Sequence, residues 1–273
     1  MAEQFAKQGK HYVEGRPSYL AQQYAEGRPS YPPQLFQFIA SKTPSHQLAW
    51  DVGTGTGQAA ISLAAIYKNV IATDASDKQL EFAAKLLNVR YQHTSSTMTM
   101  AELEQKVAPQ GTIDLVTIAQ AMHYFDLPIF YEQVKWVLKK PHGVIAAWCY
   151  SLPRINDEVD AILDRLYSID GSPYFDPARR WVDDNYKSID FPFEPVDGND
   201  HTGPFEFVIE KEIDLNGFLA YIKSWSAYHV AKEKGVELLG EDVVEKLKLS
   251  WGEDGKRVAK CQVYLRIGRV GDA

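Results

Sequence analysis

Five short apolar runs, each separated from the next by a stretch that can form a helix, restrict this chain to a small set of folds. The runs are 47–52 (QLAWDV), 69–73 (NVIAT), 88–93 (NVRYQH), 113–119 (IDLVTIA) and 143–149 (GVIAAWC). Strands this short and this apolar are buried on both faces, as in a parallel sheet covered by helices. The intervening segments supply those helices. Residues 58–67 follow a glycine turn. Residues 77–87 begin at Ser76 with Gln79 three positions on, the spacing of a capping box. Residues 128–140 place Pro128 early, set Phe130, Val134, Val137 and Leu138 on one face, and stop at Pro141-His142-Gly143.

The second half is patterned differently. Residues 155–168 read as a helix, and 171–204 are rich in Pro, Gly and aromatic residues, as a loop-heavy insertion would be. Residues 205–213 and 261–269 alternate as strands, with helical patterns at 216–229 and 236–250 between them. No linker divides the chain, so the expectation is one α/β domain over 24–273. Its mostly parallel, seven-stranded sheet carries helices on both faces, and a C-terminal cap insertion follows.

Residues 12–19 (YVEGRPSY) and 24–31 (YAEGRPSY) repeat at an offset of 12. Two copies are too few for a solenoid. Only the second is followed by Pro32-Pro33 and an apolar-periodic helix containing Leu35, Phe36, Phe38 and Ile39. Residues 1–23 therefore read as an N-terminal extension.

Charge and cysteine usage exclude several classes. Against 36 acidic residues stand 29 basic ones, a net charge of −7. The basic residues are scattered, which argues against a nucleic-acid partner. No apolar run reaches the roughly 20 residues of a membrane span, and the first residues lack a secretory core. Cys149 and Cys261 both sit inside strand-like runs, as buried thiols of a reducing compartment would. A cytoplasmic protein is expected. The histidines show no metal-ligand spacing, so no metal site is expected.

The chemistry is announced by Asp51-Val52-Gly53-Thr54-Gly55-Thr56-Gly57-Gln58, running from the first strand into a helix. Glycines there let a ligand approach the backbone without meeting a Cβ. Twenty-one residues beyond Gly53, at the end of the second strand, stands Asp74. A carboxylate at that place reaches the crevice of a doubly wound sheet and accepts hydrogen bonds from a ribose diol. The loop is G-x-G-x-G, one residue tighter than the dinucleotide fingerprint G-x-G-x-x-G. Asp51 would oppose a pyrophosphate, but it suits a ligand carrying an amino group and a sulfonium.

This stretch resembles motif I of the class I S-adenosylmethionine-dependent methyltransferases, with Asp74 at the place of their ribose-holding acid. Three further segments are similar to the type 11 methyltransferases around trans-aconitate methyltransferase and its plant and fungal relatives. They are Tyr24 to Pro32 (YAEGRPSYP), Gln120 to Asp126 (QAMHYFD) and Ser224 to Tyr228 (SWSAY). The resemblance implies a Rossmann-like fold whose cofactor half spans 45–150, with the substrate cap and late strands in 151–273. It implies S-adenosylmethionine bound through Tyr24, Arg28, Asp51, Gly53, Thr54 and Gly55, and further through Gly57, Asp74, Ala75 and Gln120. Many members follow the third strand with Asp-Ala, whose carboxylate receives the adenine amino group. Here the stretch is His93-Thr94-Ser95-Ser96-Thr97, so Ser95 and Ser96, backbone groups and apolar packing take that role.

For the acceptor, the expected pocket residues are Tyr31, His123, Tyr124, Trp148, Tyr150 and Trp225. His123 is the candidate catalytic base; its alternative is a structural histidine. Trp148, Tyr150 and Trp225 are equally readable as core, and Arg28 as a turn former that could instead clamp a carboxylate. The resemblance leans towards O-methylation of a small-molecule carboxylate, with amine or hydroxyl methylation as the alternative. Outside the class stand an NAD-dependent oxidoreductase, disfavoured by the tight loop and Asp51, and a catalytically silent cofactor-binding protein.

Overall fold

The computed structural model describes residues 30–252 and 255–271. Helix α1 (Pro33–Ser41) opens this region and packs Leu35, Phe36 and Ile39 inward, Pro33 supplying the helix-ready first turn. Strand β1 (Leu48–Val52), helix α2 (Gln58–Ala64), strand β2 (Asn69–Asp74), helix α3 (Asp77–Glu81) and strand β3 (Val89–His93) follow. Next come helix α4 (Met100–Lys106), strand β4 (Leu115–Ala119), helix α5 (Leu127–Val137) and strand β5 (Val144–Tyr150). The sheet order is β3-β2-β1-β4-β5 with every neighbour parallel. β5 is buried along its whole length, as a central parallel strand requires.

Two late strands complete the same sheet. β6 (Phe205–Ile213) and β7 (Arg257–Arg269) add as β5-β7-β6, both pairs antiparallel. Trp50, Ile71, Val116, Ile118 and Ile145 meet α5 on one face. Ala49, Ala72, Leu115, Ala146 and Trp148 meet α1, α2 and the late helices on the other. Both cysteines are buried with free thiols. Among the described residues no helix is long and apolar enough to cross a membrane.

Helix boundaries depart from the sequence pattern in several places, among them a start at Glu241 rather than 236 and ends at Ala64 rather than 67 and at Val137 rather than 140. The helix expected over 77–87 ends at Glu81. Leu86 and Leu87 are exposed, so its periodicity finds no core to face. The pattern at 216–229 is two helices, α8 (Leu215–Lys223) and α9 (Ser226–Glu233). Ser224 Oγ donates to Tyr221 O at 2.6 Å and Trp225 is extended, which breaks the run there. The segment 155–168 is helix α6 (Asp157–Arg165) continued by one π turn, Leu166–Asp170. The expected loop 171–204 contains two 3-10 turns and the short helix α7 (Arg180–Asp183). Helix α10 (Glu241–Trp251) precedes β7, which begins at Arg257, four residues before the alternation at 261–269.

Candidate active site

Strand order reverses between β1 and β4, so their C-terminal ends part and leave a crevice. The glycine turn occupies that place. Gly53 has φ +64°, and a Cβ there would sit 2.9 Å from Ala121 Cβ. Gly57 has φ +87°, and a Cβ there would sit 2.6 Å from the Tyr91 hydroxyl. Only glycine meets both the left-handed backbone and the close approach.

Asp74 closes the turn. Its two carboxylate oxygens accept from Gly55 N at 2.8 Å and Ser76 N at 2.9 Å. Burial raises its pKa, with those two amide bonds pulling the other way. Each oxygen keeps a second lone pair for a ligand hydroxyl. Beside it, Gln79 Oε1 is buried without a partner, an acceptor left for a ligand to satisfy.

A cavity of about 640 Å³ runs from this turn across the ends of β2, β1 and β4. Its cofactor side includes Gly53, Gly55, Asp74, Ala75, Ser95 and Ser96, together with Gln79. Met98, Met100, Phe125, Ile129 and Phe130 form an apolar slot beside Ser95 and Ser96. Gln120 holds the floor: its backbone has φ +57°, its N donates to Trp148 O, and its Oε1 accepts from Tyr150 N, both at 2.8 Å. The wall also carries His123, Tyr124, Tyr150, Tyr221, Trp225 and Arg179. His123 sits in the 3-10 turn Met122–Tyr124, 4% exposed, its ring centroid 4.0 Å from that of Tyr124.

Five expected contacts stand behind the wall. Asp51 is fully buried, its oxygens accepting from Thr54 Oγ1 at 2.5 Å and Thr117 Oγ1 at 2.7 Å. Burial pushes its pKa up to about 6, against the pull of the two threonine bonds that tie it to the glycine turn and to β4. Thr54 is held inside by that bond, and Gly57 is turned towards Tyr91. Tyr31 packs edge-on against Trp148 at 5.3 Å and against Tyr150 at 6.2 Å, and Trp148 is wholly buried. Tyr24 and Arg28 lie outside the described residues.

The comparisons with known proteins agree with this geometry. The family described as "Methyltransferase domain" matches residues 49–143, the stretch that builds the crevice. A Dictyostelium discoideum protein named as a methyltransferase is 33% identical over 250 residues, covering 90% of this chain and 84% of its own. This chain is a class I S-adenosylmethionine-dependent methyltransferase. A methyltransferase of Saccharomyces cerevisiae, named as S-adenosylmethionine-dependent, is 28% identical over 202 residues, covering 65% of this chain and 68% of its own. The solved structure of a type II methyltransferase from Anaeromyxobacter dehalogenans superposes with a TM-score of 0.73 at 31% identity, covering 89% of this chain and 97% of that one.

The cofactor of this methyltransferase is S-adenosylmethionine, and the residues present fit it. Asp74 offers lone pairs to a ribose diol, the orphaned Gln79 oxygen needs a donor, and Gly53 leaves the turn open. The sequence marked Gln79 only by its capping-box spacing from Ser76. Ser76 Oγ accepts from the Gln79 backbone N at 3.3 Å, but the return bond from Ser76 N goes to Asp74, which leaves the Gln79 side-chain oxygen to the cavity. Tyr221 and Arg179 carried no sequence signal, because they reach the cavity from the late helices and from the irregular 171–204 stretch.

Proposed function

We propose that this methyltransferase O-methylates the carboxylate of a small molecule, in the manner of the group around trans-aconitate methyltransferase. The observation that carries the reading is the acceptor side of the cavity. Among the described residues it is walled by aromatic rings and holds one Lys or Arg side chain, Arg179. A carboxylic acid matches both halves of that wall. Bound S-adenosylmethionine supplies an electrophilic methyl group. The protein's contribution is to hold donor and acceptor in line and exclude water, which lowers the entropic part of the barrier. A carboxylate is ionised at neutral pH, so no base has to remove a proton. In this reading His123 donates a hydrogen bond and orients the acid.

The placement of His123 in the wall keeps a second reading alive, methylation of a hydroxyl or amine with His123 as base. A cytoplasmic small-molecule acceptor, without nucleic acid or membrane, belongs to either reading. Incubation with methyl-deuterated S-adenosylmethionine and pooled acid and amine metabolites separates them by product mass and alkaline hydrolysis. A labelled ester supports carboxyl methylation; a label that survives alkali on nitrogen or an ether oxygen overturns it.

A further inference from the structure

We propose that Arg179 receives the acceptor's carboxylate and that the acceptor is a flat, apolar acid with a single carboxylate. The proposal rests on the carboxyl-methylation reading and goes on to name the residue and the substrate class.

Arg179 ends the 3-10 turn Pro177–Arg179, which packs against the turn that carries His123. Its side chain is fixed on three sides. Nε donates to the Tyr167 hydroxyl at 2.6 Å, and that hydroxyl donates to Asp183. The guanidinium lies 4.9 Å over the Phe175 ring and 5.2 Å over the Tyr167 ring. Tyr167 and Phe175 are themselves braced by Trp225, at 5.6 Å and 6.0 Å between centroids. Tyr167 belongs to the π turn, whose wider winding marks many functional sites. The head group is thus pre-set without its two terminal amino groups being used. Neither makes a hydrogen bond or ion pair to any described residue, although Arg179 lines the cavity. A guanidinium remains charged at any working pH and presents a planar fork that fits a carboxylate. Leaving that fork inside a protein cavity without an anion is costly.

The rest of the wall limits the acid. Around Arg179 stand Tyr124, Tyr150, Tyr221 and Trp225, which offer flat apolar contact. The charged groups elsewhere in the described wall are Asp74, Asp126 and Glu132, all acidic. A second carboxylate would lose its water and meet no further cation among the described residues of the wall. In the transfer, a lone pair on the carboxylate oxygen forms the O–CH3 bond as the S–CH3 bond breaks. The bonding pair stays on sulfur, and no proton moves. An anion and a sulfonium become a neutral ester and a neutral thioether, so the product no longer pairs with Arg179 and leaves.

The test titrates the full-length protein, saturated with S-adenosylhomocysteine, with three probes by calorimetry. They are trans-cinnamate, the uncharged cinnamamide and the tricarboxylate trans-aconitate. Cinnamate should bind at least about 10-fold more tightly than either of the others. Arg179→Gln should weaken cinnamate binding about 10- to 100-fold, the weight of a lost charge-assisted pair, and leave S-adenosylhomocysteine affinity unchanged. Arg179→Lys should recover part of the loss. Tyr167→Phe, which removes only the brace on Nε, should cost less than Arg179→Gln. Unchanged cinnamate affinity in Arg179→Gln, tighter binding of trans-aconitate, no binding of cinnamate, or transfer of the whole effect to Arg28→Gln would each overturn the proposal. A methyl found on nitrogen or a hydroxyl during turnover removes the underlying reading. Carboxyl methylation that ignores Arg179 removes only this inference.

Discussion

Asp51 should destabilise the protein that contains it, and by an amount that depends on pH. Its carboxyl is fully buried, and burial raises its pKa from 3.8 to about 6. Between those values the unfolded chain has released the proton and the folded chain still holds it. Stability is therefore lost as pH rises through that window and stays lost above it. Linkage puts the loss at about 1 kcal/mol at pH 4.5 and about 3 kcal/mol at pH 7.5. Asp51→Asn cannot ionise. Whatever the substitution does to the hydrogen bonds from Thr54 and Thr117, it does at both pH values. The informative quantity is therefore the change in the variant's relative stability between pH 4.5 and 7.5, about 2 kcal/mol in favour of Asn. In a chain of this size that is a relative Tm gain of about 4–8 °C, read by thermal or urea unfolding of the ligand-free protein. The same substitution should weaken S-adenosylmethionine more than S-adenosylhomocysteine, because only the former carries the sulfonium that an ionised Asp51 attracts. An Asn variant whose relative stability is the same at both pH values would refute the reasoning.

Asp74→Ala should abolish most of the melting-temperature rise that saturating S-adenosylhomocysteine gives the parent, itself about 3 kcal/mol at a hundredfold excess over Kd. An undiminished rise would take the ribose away from Asp74. Gly55→Ala and Gly57→Ala should each cost about 1–2 kcal/mol for a left-handed Cβ. Gly57→Ala should be worse, because its Cβ meets the Tyr91 hydroxyl at 2.6 Å whereas that of Gly55 meets nothing nearer than 3.9 Å. Adding Tyr91→Phe should narrow the gap in chemical denaturation, the ring carbons staying at 3.3 Å, and an undiminished gap would mean the hydroxyl contact is not its cause.

The parallel half of the fold was readable because its strands are buried on both faces and so declare themselves as unbroken apolar runs. The glycine turn was readable because left-handed backbone and the absence of a Cβ leave their mark in composition. Asp74 ends β2, and Gln120 and His123 follow β4, so their place at the open edge of the sheet was readable from the strand ends and, for the latter two, from the resemblance carried by the segment Gln120 to Asp126. What was hidden depends on contacts distant in sequence. Asp51 carries the same residue type whether it touches a ligand or braces a turn through Thr54 and Thr117. Trp148 and Tyr150 sit two residues apart on one face of β5, yet one is sealed by Tyr31 and Phe36 and the other lines the cavity. Arg179 lies in a stretch without periodicity, and its place is set by Tyr167, Phe175 and the His123 turn.

The pH dependence of kcat with an accepted acid, measured from pH 7 to 9 for the parent and for His123→Gln, tests carboxyl methylation most directly. A carboxylate with a pKa near 4 is fully ionised throughout this range, and Asp51 is ionised above about 6. The account therefore predicts a flat profile, with the Gln variant within about 10-fold of the parent, a barrier change of about 1.4 kcal/mol or less. A rate that climbs with pH through an ionisation, together with a loss of about 100-fold or more in His123→Gln, would show a proton being removed and contradict it.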